Sequence, residues 1–298
     1  MDKYTKQRLF LTEQQEEFFI KEMQRQYGLS YSAIRKILID YVDRYGIGNK
    51  LSEKMFMYRR FENLLSNVAD EIKTIKNVKF APFNSYVSKI GQLNYLFAGY
   101  TIESRYFIPL NFKPLAQEEL GMSKLSKLAL RVRDAELYNN LERTITQSIV
   151  KADGVGETAK AIRNVMDIDL NKSLRIARTE TTTAMGEGNR KAMKKAESKG
   201  LDLKKQWVAT LDKKTRDRHR RMDGEIRDLD EKYSNGLMHP GDQMGRPEEV
   251  INCRCLEIEI LNKEQDRYKE LQRRAREDKF NEVIKNTTYK EWEKNLKG

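Results

Sequence analysis

A mainly α fold, with a mixed α+β region towards the C-terminus and a charged helix at its end, is predicted by three features of the sequence. Only five prolines and 16 glycines interrupt 298 residues, so long helices have room to run. Apolar residues recur at intervals of three and four through most of the first two thirds, the period of one helical face. Beyond Gly200 that period gives way to QWVATLD, which reads as a strand opening a loop-rich module. A chain of this length can hold two domains, each with its own core. The expected organisation is a helical N-terminal region over 1–108, a hinge over 109–134, a mixed domain over 135–260 and a charged helix over 261–298.

In SYSAIRKILIDYVDRYG, Ile34, Ile37, Leu38, Tyr41, Val42 and Tyr45 share a face, with Ser30 as the expected cap and Gly46 as the stop. Phe61, Leu64, Leu65, Val68 and Ile72 form a second stripe. After Pro82 a third segment runs through Tyr86, Val87, Ile90 and Leu96, where Gly91, Ala98 and Gly99 permit close packing. Pro109 and Pro114 mark the break. The pattern of Ser123–Val132 leaves helix and strand both open. From Ala135, the residues Leu137, Leu141, Ile145 and Ile149 line a helix closed by Gly154. A short helix follows Gly156. Then comes a long one with small residues on one face, Leu174, Ala177, Thr181, Ala184 and Ala192, ended by Gly200. In the last segment Tyr268, Leu271, Ala275 and Phe280 give a thin apolar seam.

The formal net charge of +12 favours a polyanionic partner, nucleic acid being the commonest. Between Lys204 and Arg227 nine basic side chains face four acidic ones, the densest basic patch in the chain. Lys204, Lys205, Lys213, Lys214, Arg218, Arg220 and Arg221 are therefore the candidate phosphate contacts, against the plainer reading of a solvated, ion-paired face. The N-terminal MDKYTKQRLFLTEQQ lacks the apolar core of a signal peptide, and no run has the apolar length of a membrane span. A soluble protein of a reducing cytoplasm, with no membrane partner, is expected.

Every histidine and cysteine of the chain falls within one short stretch: His219, His239, Cys253 and Cys255. Two readings compete. The four side chains converge on one metal, most plausibly zinc, which takes four N/S ligands in a tetrahedron. Alternatively, they are scattered polar residues of a compact loop module. One residue separates Cys253 from Cys255; on a strand this points both sulfurs to one face, and a disulfide across so small a ring is strained. A further order, His219–Asn235–His239, matches superficially the signature of ββα-metal nucleases, but the Asn235–His239 interval is too short for the usual strand, turn and helix.

A set of ordered motifs carries a family resemblance. These are Ala177-Arg178-Thr179-Glu180, then Trp207, Asp212, Arg216 and His219, then Asp223-Gly224, and finally Pro247 before Asn252-Cys253-Arg254-Cys255. Over roughly 135–260 the chain resembles the phage minor head proteins, the Mu F-like head morphogenesis family. The resemblance implies a structural virion component rather than an enzyme. Such a protein is built into the procapsid in few copies and associated with the portal protein among scaffold or capsid proteins. It resides in the head interior after assembly in the host cytoplasm. It also implies nonspecific binding of double-stranded DNA and, in some members, exit with the genome. Within the motifs, a bidentate bond from Arg178 to Asp212 or Asp223 is expected to tie the helix to the loop module, and Arg216 to have a buried partner. Glu180 has no nucleophile–base pair beside it and is read as structural.

Overall fold

The computed structural model describes residues 3–48, 50–51, 59–121, 123–262 and 287–296. The fold is mainly α, with one small antiparallel sheet. Four long helices dominate: α1 (Lys3–Tyr45), α2 (Arg60–Tyr106), α3 (Lys124–Lys151) and α4 (Val155–Ser198). The chain gathers into two compact units, one formed by Glu17–Asn84 and Ser123–Ala177, the other by Met1–Glu16, Ser85–Met122 and Arg178–Gly298. The stretch expected as one domain, 135–260, thus contributes to both, because α4 itself runs from one unit into the other.

The first unit is built from helices. Phe19, Met23, Tyr27, Ile34, Leu38 and Val42 are buried along α1 at helical spacing. The period is continuous through Ser30, which is a buried interior residue of α1 and not a cap. Gly46 does follow the helix end, where a Cβ would meet the carbonyl of Val42 at 2.6 Å. Pro82 lies inside α2 rather than before a new helix. The undecided segment after Ser123 is helix: the Ser123 side chain accepts from the Ser126 amide at 3.0 Å and starts α3. That helix ends at Ala152, in the left-handed conformation with φ 53°, two residues before the expected Gly154. The two helices expected after Gly156 are one, since no proline or turn sequence divides them. Asp169 within it accepts from the Tyr27 hydroxyl at 2.6 Å.

The second unit packs a three-stranded sheet with helical segments. Strands β1 (Leu203–Val208), β2 (Ile226–Asp228) and β3 (Leu256–Leu261) lie in the order β2-β1-β3, all antiparallel. The small-residue face of α4 works as the sequence suggests: a Cβ on Gly188 would stand 2.3 Å from the Gly91 carbonyl of α2. Two short helices, α5 (Asp217–Arg221) and α6 (Pro247–Val250), sit in the loops, and α7 (Tyr289–Asn295) closes an aromatic cluster of Phe97, Tyr100, Phe112, Tyr289 and Trp292. Glu103 accepts from the Trp292 indole at 2.7 Å and from the amides of Leu110 and Asn111, fixing the connection after α2. Of the expected terminal helix, α7 is seen; Tyr268, Leu271, Ala275 and Phe280 lie outside the described residues. Among the described residues no helix is long and apolar enough to cross a membrane.

Candidate metal centre

Helix α5 presents His219 to the loop module, and the turn before β3 presents Cys253 and Cys255. All three side chains are buried. Their donor atoms lie within 4.8 Å of one another. His219 Nδ1 stands 3.4 Å from Cys255 Sγ and 3.7 Å from Cys253 Sγ. The other ring nitrogen, Nε2, faces Glu249 Oε2 on α6 at 2.9 Å. Glu249 is itself buried and held by Arg218 at 2.8 Å and by the Asn235 amide at 3.3 Å. Trp207 of β1 meets the His219 ring edge-on at 5.3 Å, and Tyr233, Met222, Leu237 and Val250 complete the apolar wall. Burial works against charge on His219, but contacts with Cys255 and Glu249 outweigh it and raise its pKa. The hydrogen bonds from Cys253 and His219 draw the Cys255 thiol down, while the contact with Cys255 and burial push Cys253 up. One imidazole nitrogen and two sulfurs within 4.8 Å of one another are a donor set for a soft divalent ion.

His239 is not part of this group. Its Nδ1 donates to the Pro240 carbonyl at 2.9 Å and its Nε2 to Glu187 at 3.1 Å. Of the four side chains expected to converge, three therefore do, because the loop carrying His239 packs it against α4, where a Cβ on Gly186 would lie 2.3 Å from Nδ1. The His–Asn–His order dissolves for the same reason: Asn235 serves Glu249, and the two histidines have separate carboxylates.

The motif helix is tied to the loops by its threonines. Thr179 accepts from the Asn252 amide at 3.2 Å, Thr182 donates to the Cys253 carbonyl at 2.5 Å and Thr183 to the Gly241 carbonyl at 2.8 Å. The buried Glu180 accepts from Gln243 at 2.5 Å. The expected Arg178 bond to Asp212 or Asp223 is not made. Arg178 pairs with Glu16 at 3.5 Å. Asp212 takes a bidentate Arg254 at 2.5 and 2.7 Å, and Asp223 accepts from the Ala209 amide at 2.9 Å. Arg216 is half-buried and bonds the Ile251 carbonyl.

Of the candidate phosphate contacts, Lys205 is corrected. It is 1% exposed, and its Nζ donates to the carbonyls of Leu229 and Met238 above the Tyr233 ring. Lys204 is exposed but paired with Asp228 at 2.8 Å, Arg218 with Glu249, and Arg220 with the carbonyls of Thr215 and Asp212. Lys213, Lys214 and Arg221 are exposed, with no side-chain hydrogen bond or ion pair among the described residues. Sequence reasoning missed Glu249, Glu187 and Gln243. A lone carboxylate or amide in a charged chain carries no signal of its own, although His219 and His239 each required a partner if buried.

Residues 139–258 match the family described as Phage Mu protein F like protein. The chain is similar to the Minor head protein GP7 of Bacillus phage SPP1, with 26% identity over 290 residues, 93% of this chain and 92% of that one. It is also similar to NAD(+)–arginine ADP-ribosyltransferase EFV of Enterococcus faecalis, with 30% identity over 248 residues covering 78% of this chain. The chain spans 50% of the length of that relative. No solved structure matches. The ordered motifs, the matched region around them and the likeness to a minor head protein along nearly the whole chain agree: residues 139–258 form a phage Mu F-like region in a chain that resembles the minor head proteins.

Proposed function

We propose that this protein is a portal-associated structural component of a tailed-phage procapsid that holds DNA through sequence-independent phosphate contacts. The observation that carries the reading is the similarity to a minor head protein over 93% of the chain and 92% of that protein. The net charge of +12 supports the DNA part, as do Lys213, Lys214 and Arg221, exposed and unpaired among the described residues. Transferase chemistry belongs to the name of a relative of which this chain spans half, and we assign this chain a structural role instead.

Two experiments test this. Co-expression with the portal protein of the same genome should give a complex that sediments together, and separate migration would remove the portal assignment. Purified protein mixed with plasmid and Mg²⁺ or Mn²⁺ should retard intact DNA. Fragments would favour a nuclease, and transfer of ADP-ribose from NAD⁺ to arginine would favour the transferase.

A further inference from the structure

We propose that His219 Nδ1, Cys253 Sγ and Cys255 Sγ bind one zinc ion, with water at the fourth corner, clasping α5 to the turn before β3. With bonds of about 2.3 Å to sulfur and about 2.0–2.1 Å to nitrogen, a tetrahedral ion sets its N···S edges at about 3.5 Å. The two measured edges are 3.4 and 3.7 Å.

Hydrogen bonding alone accounts poorly for the same geometry. A neutral imidazole has one lone pair and a protonated ring nitrogen has one hydrogen, so Nδ1 has one good partner to offer. Two sulfurs approach it. A metal at their common point satisfies all three, giving the Nδ1 lone pair and both sulfurs one shared partner. Binding requires Nδ1 and both sulfurs to be free of protons, and those they carry pass to solvent, so uptake of the divalent cation releases protons.

The surroundings fit the same assignment. A ligating histidine usually gives its other N–H to a carboxylate, which fixes the ring and raises its basicity. Glu249 does this at 2.9 Å, and is itself fixed by Arg218 and Asn235. The single residue between the sulfurs, Arg254, is exposed and holds its bidentate partner Asp212, while the cysteines on either side are buried. The carbonyl of Cys253 is held by Thr182 and the amide of Asn252 by Thr179, so the turn that offers the thiols is fastened to α4. Among the described residues no other His, Cys, Asp or Glu joins the group. The site is independent of the portal and DNA assignments.

The test uses the full chain, purified without chelator and dialysed against metal-free buffer. Elemental analysis should find one zinc per chain. Cys253→Ser and Cys255→Ser should each lower bound zinc at least tenfold, whereas His239→Ala should keep it. Replacing zinc with Co²⁺ in the unaltered protein should give tetrahedral ligand-field bands and a thiolate-to-cobalt charge-transfer band of two-thiolate intensity. That spectrum decides the matter even if a cysteine variant does not fold. An unaltered chain that takes up neither added zinc nor cobalt overturns the proposal. So does loss of the metal in a folded His239→Ala protein, which would restore a four-ligand set.

Discussion

Both ring nitrogens of His239 face oxygen acceptors: Nε2 lies 3.1 Å from Glu187 and Nδ1 lies 2.9 Å from the carbonyl of Pro240. Only the imidazolium has two N–H groups to give. Burial opposes that charge, but the Glu187 bond, the nearby Glu257 and the Pro240 carbonyl raise the pKa above its ordinary 6.5. The stability this adds is fully present below 6.5 and is lost as pH rises through the raised folded value. Glu187, lowered chiefly by the His239 bond, acts in the opposite direction, and its contribution fades as pH falls below 4.5. Urea denaturation should therefore show stability declining as pH rises above 6.5. The decline should be shallower in His239→Gln. Equal slopes in the two proteins would mean that the pair does not couple to folding.

Lys205 predicts a separation of stability from binding. Its ammonium satisfies two loop carbonyls, those of Leu229 and Met238, and burial is the main influence lowering its pKa. Lys205→Met keeps the apolar stem and leaves the carbonyls of Leu229 and Met238 without their donor, at a cost of about 1–3 kcal/mol. DNA affinity and its salt dependence should not change in the folded variant. A loss of affinity at unchanged stability would return Lys205 to the phosphate-binding set.

Thr182→Val tests the fastening of the cysteine turn to α4. The change is nearly isosteric, so it removes the donor to the Cys253 carbonyl with little change of packing. The expected loss is about 1–2 kcal/mol in unfolding free energy, close to the penalty for one unpaired buried carbonyl. Thr183→Val, whose bond to Gly241 is only part-buried, should cost less. The reverse ranking would show that the Gly241 loop, and not the cysteine turn, is the main attachment.

The helices were legible because burial along them follows a single period, and the rare residues were legible because three of four do converge. What the sequence hid has physical causes. Alternation in LEIEIL invites placing its isoleucines inside, yet Glu257 and Glu259 are buried while Ile258 and Ile260 are only half-buried. Arg8 reaches the Glu257 carbonyl at 2.8 Å across 249 positions of sequence, and Arg105 pairs with Glu259 at 3.4 Å. No local pattern announces partners so distant. The tie of the motif helix was expected of Arg178, whose charge and reach suggested the bond that short threonine hydroxyls in fact make. Helix ends were misplaced where a non-glycine residue, Ala152, takes the left-handed turn.

Glu249 links the metal proposal to a graded effect. Glu249→Gln retains an oxygen that can accept from His219 Nε2 but removes the negative charge that makes the imidazole a stronger donor to an ion. Zinc affinity should fall about 10- to 100-fold, as is usual when the partner of a ligating histidine is changed. Competition with a chromophoric chelator measures this directly. The cobalt spectrum of the variant should keep its two-thiolate intensity, since the sulfurs are untouched. Unchanged affinity would show that Glu249 serves Arg218 and Asn235 alone.

Lys213, Lys214 and Arg221 are exposed, while Arg218 and Arg220 already have partners within the fold. Each phosphate neutralised adds about 0.9 to the slope of log affinity against log salt, so changing all three to serine should lower that slope by about 2–3. Folding should be nearly unaffected, because exposed charges contribute at most about 1 kcal/mol each. Fluorescence anisotropy on two unrelated duplexes, across a range of salt, should give the same loss for both. If the triple variant keeps its slope, this face is solvated and plays no part in binding, and the contacts lie elsewhere on a strongly basic chain. A loss confined to one duplex would contradict sequence-independent binding altogether.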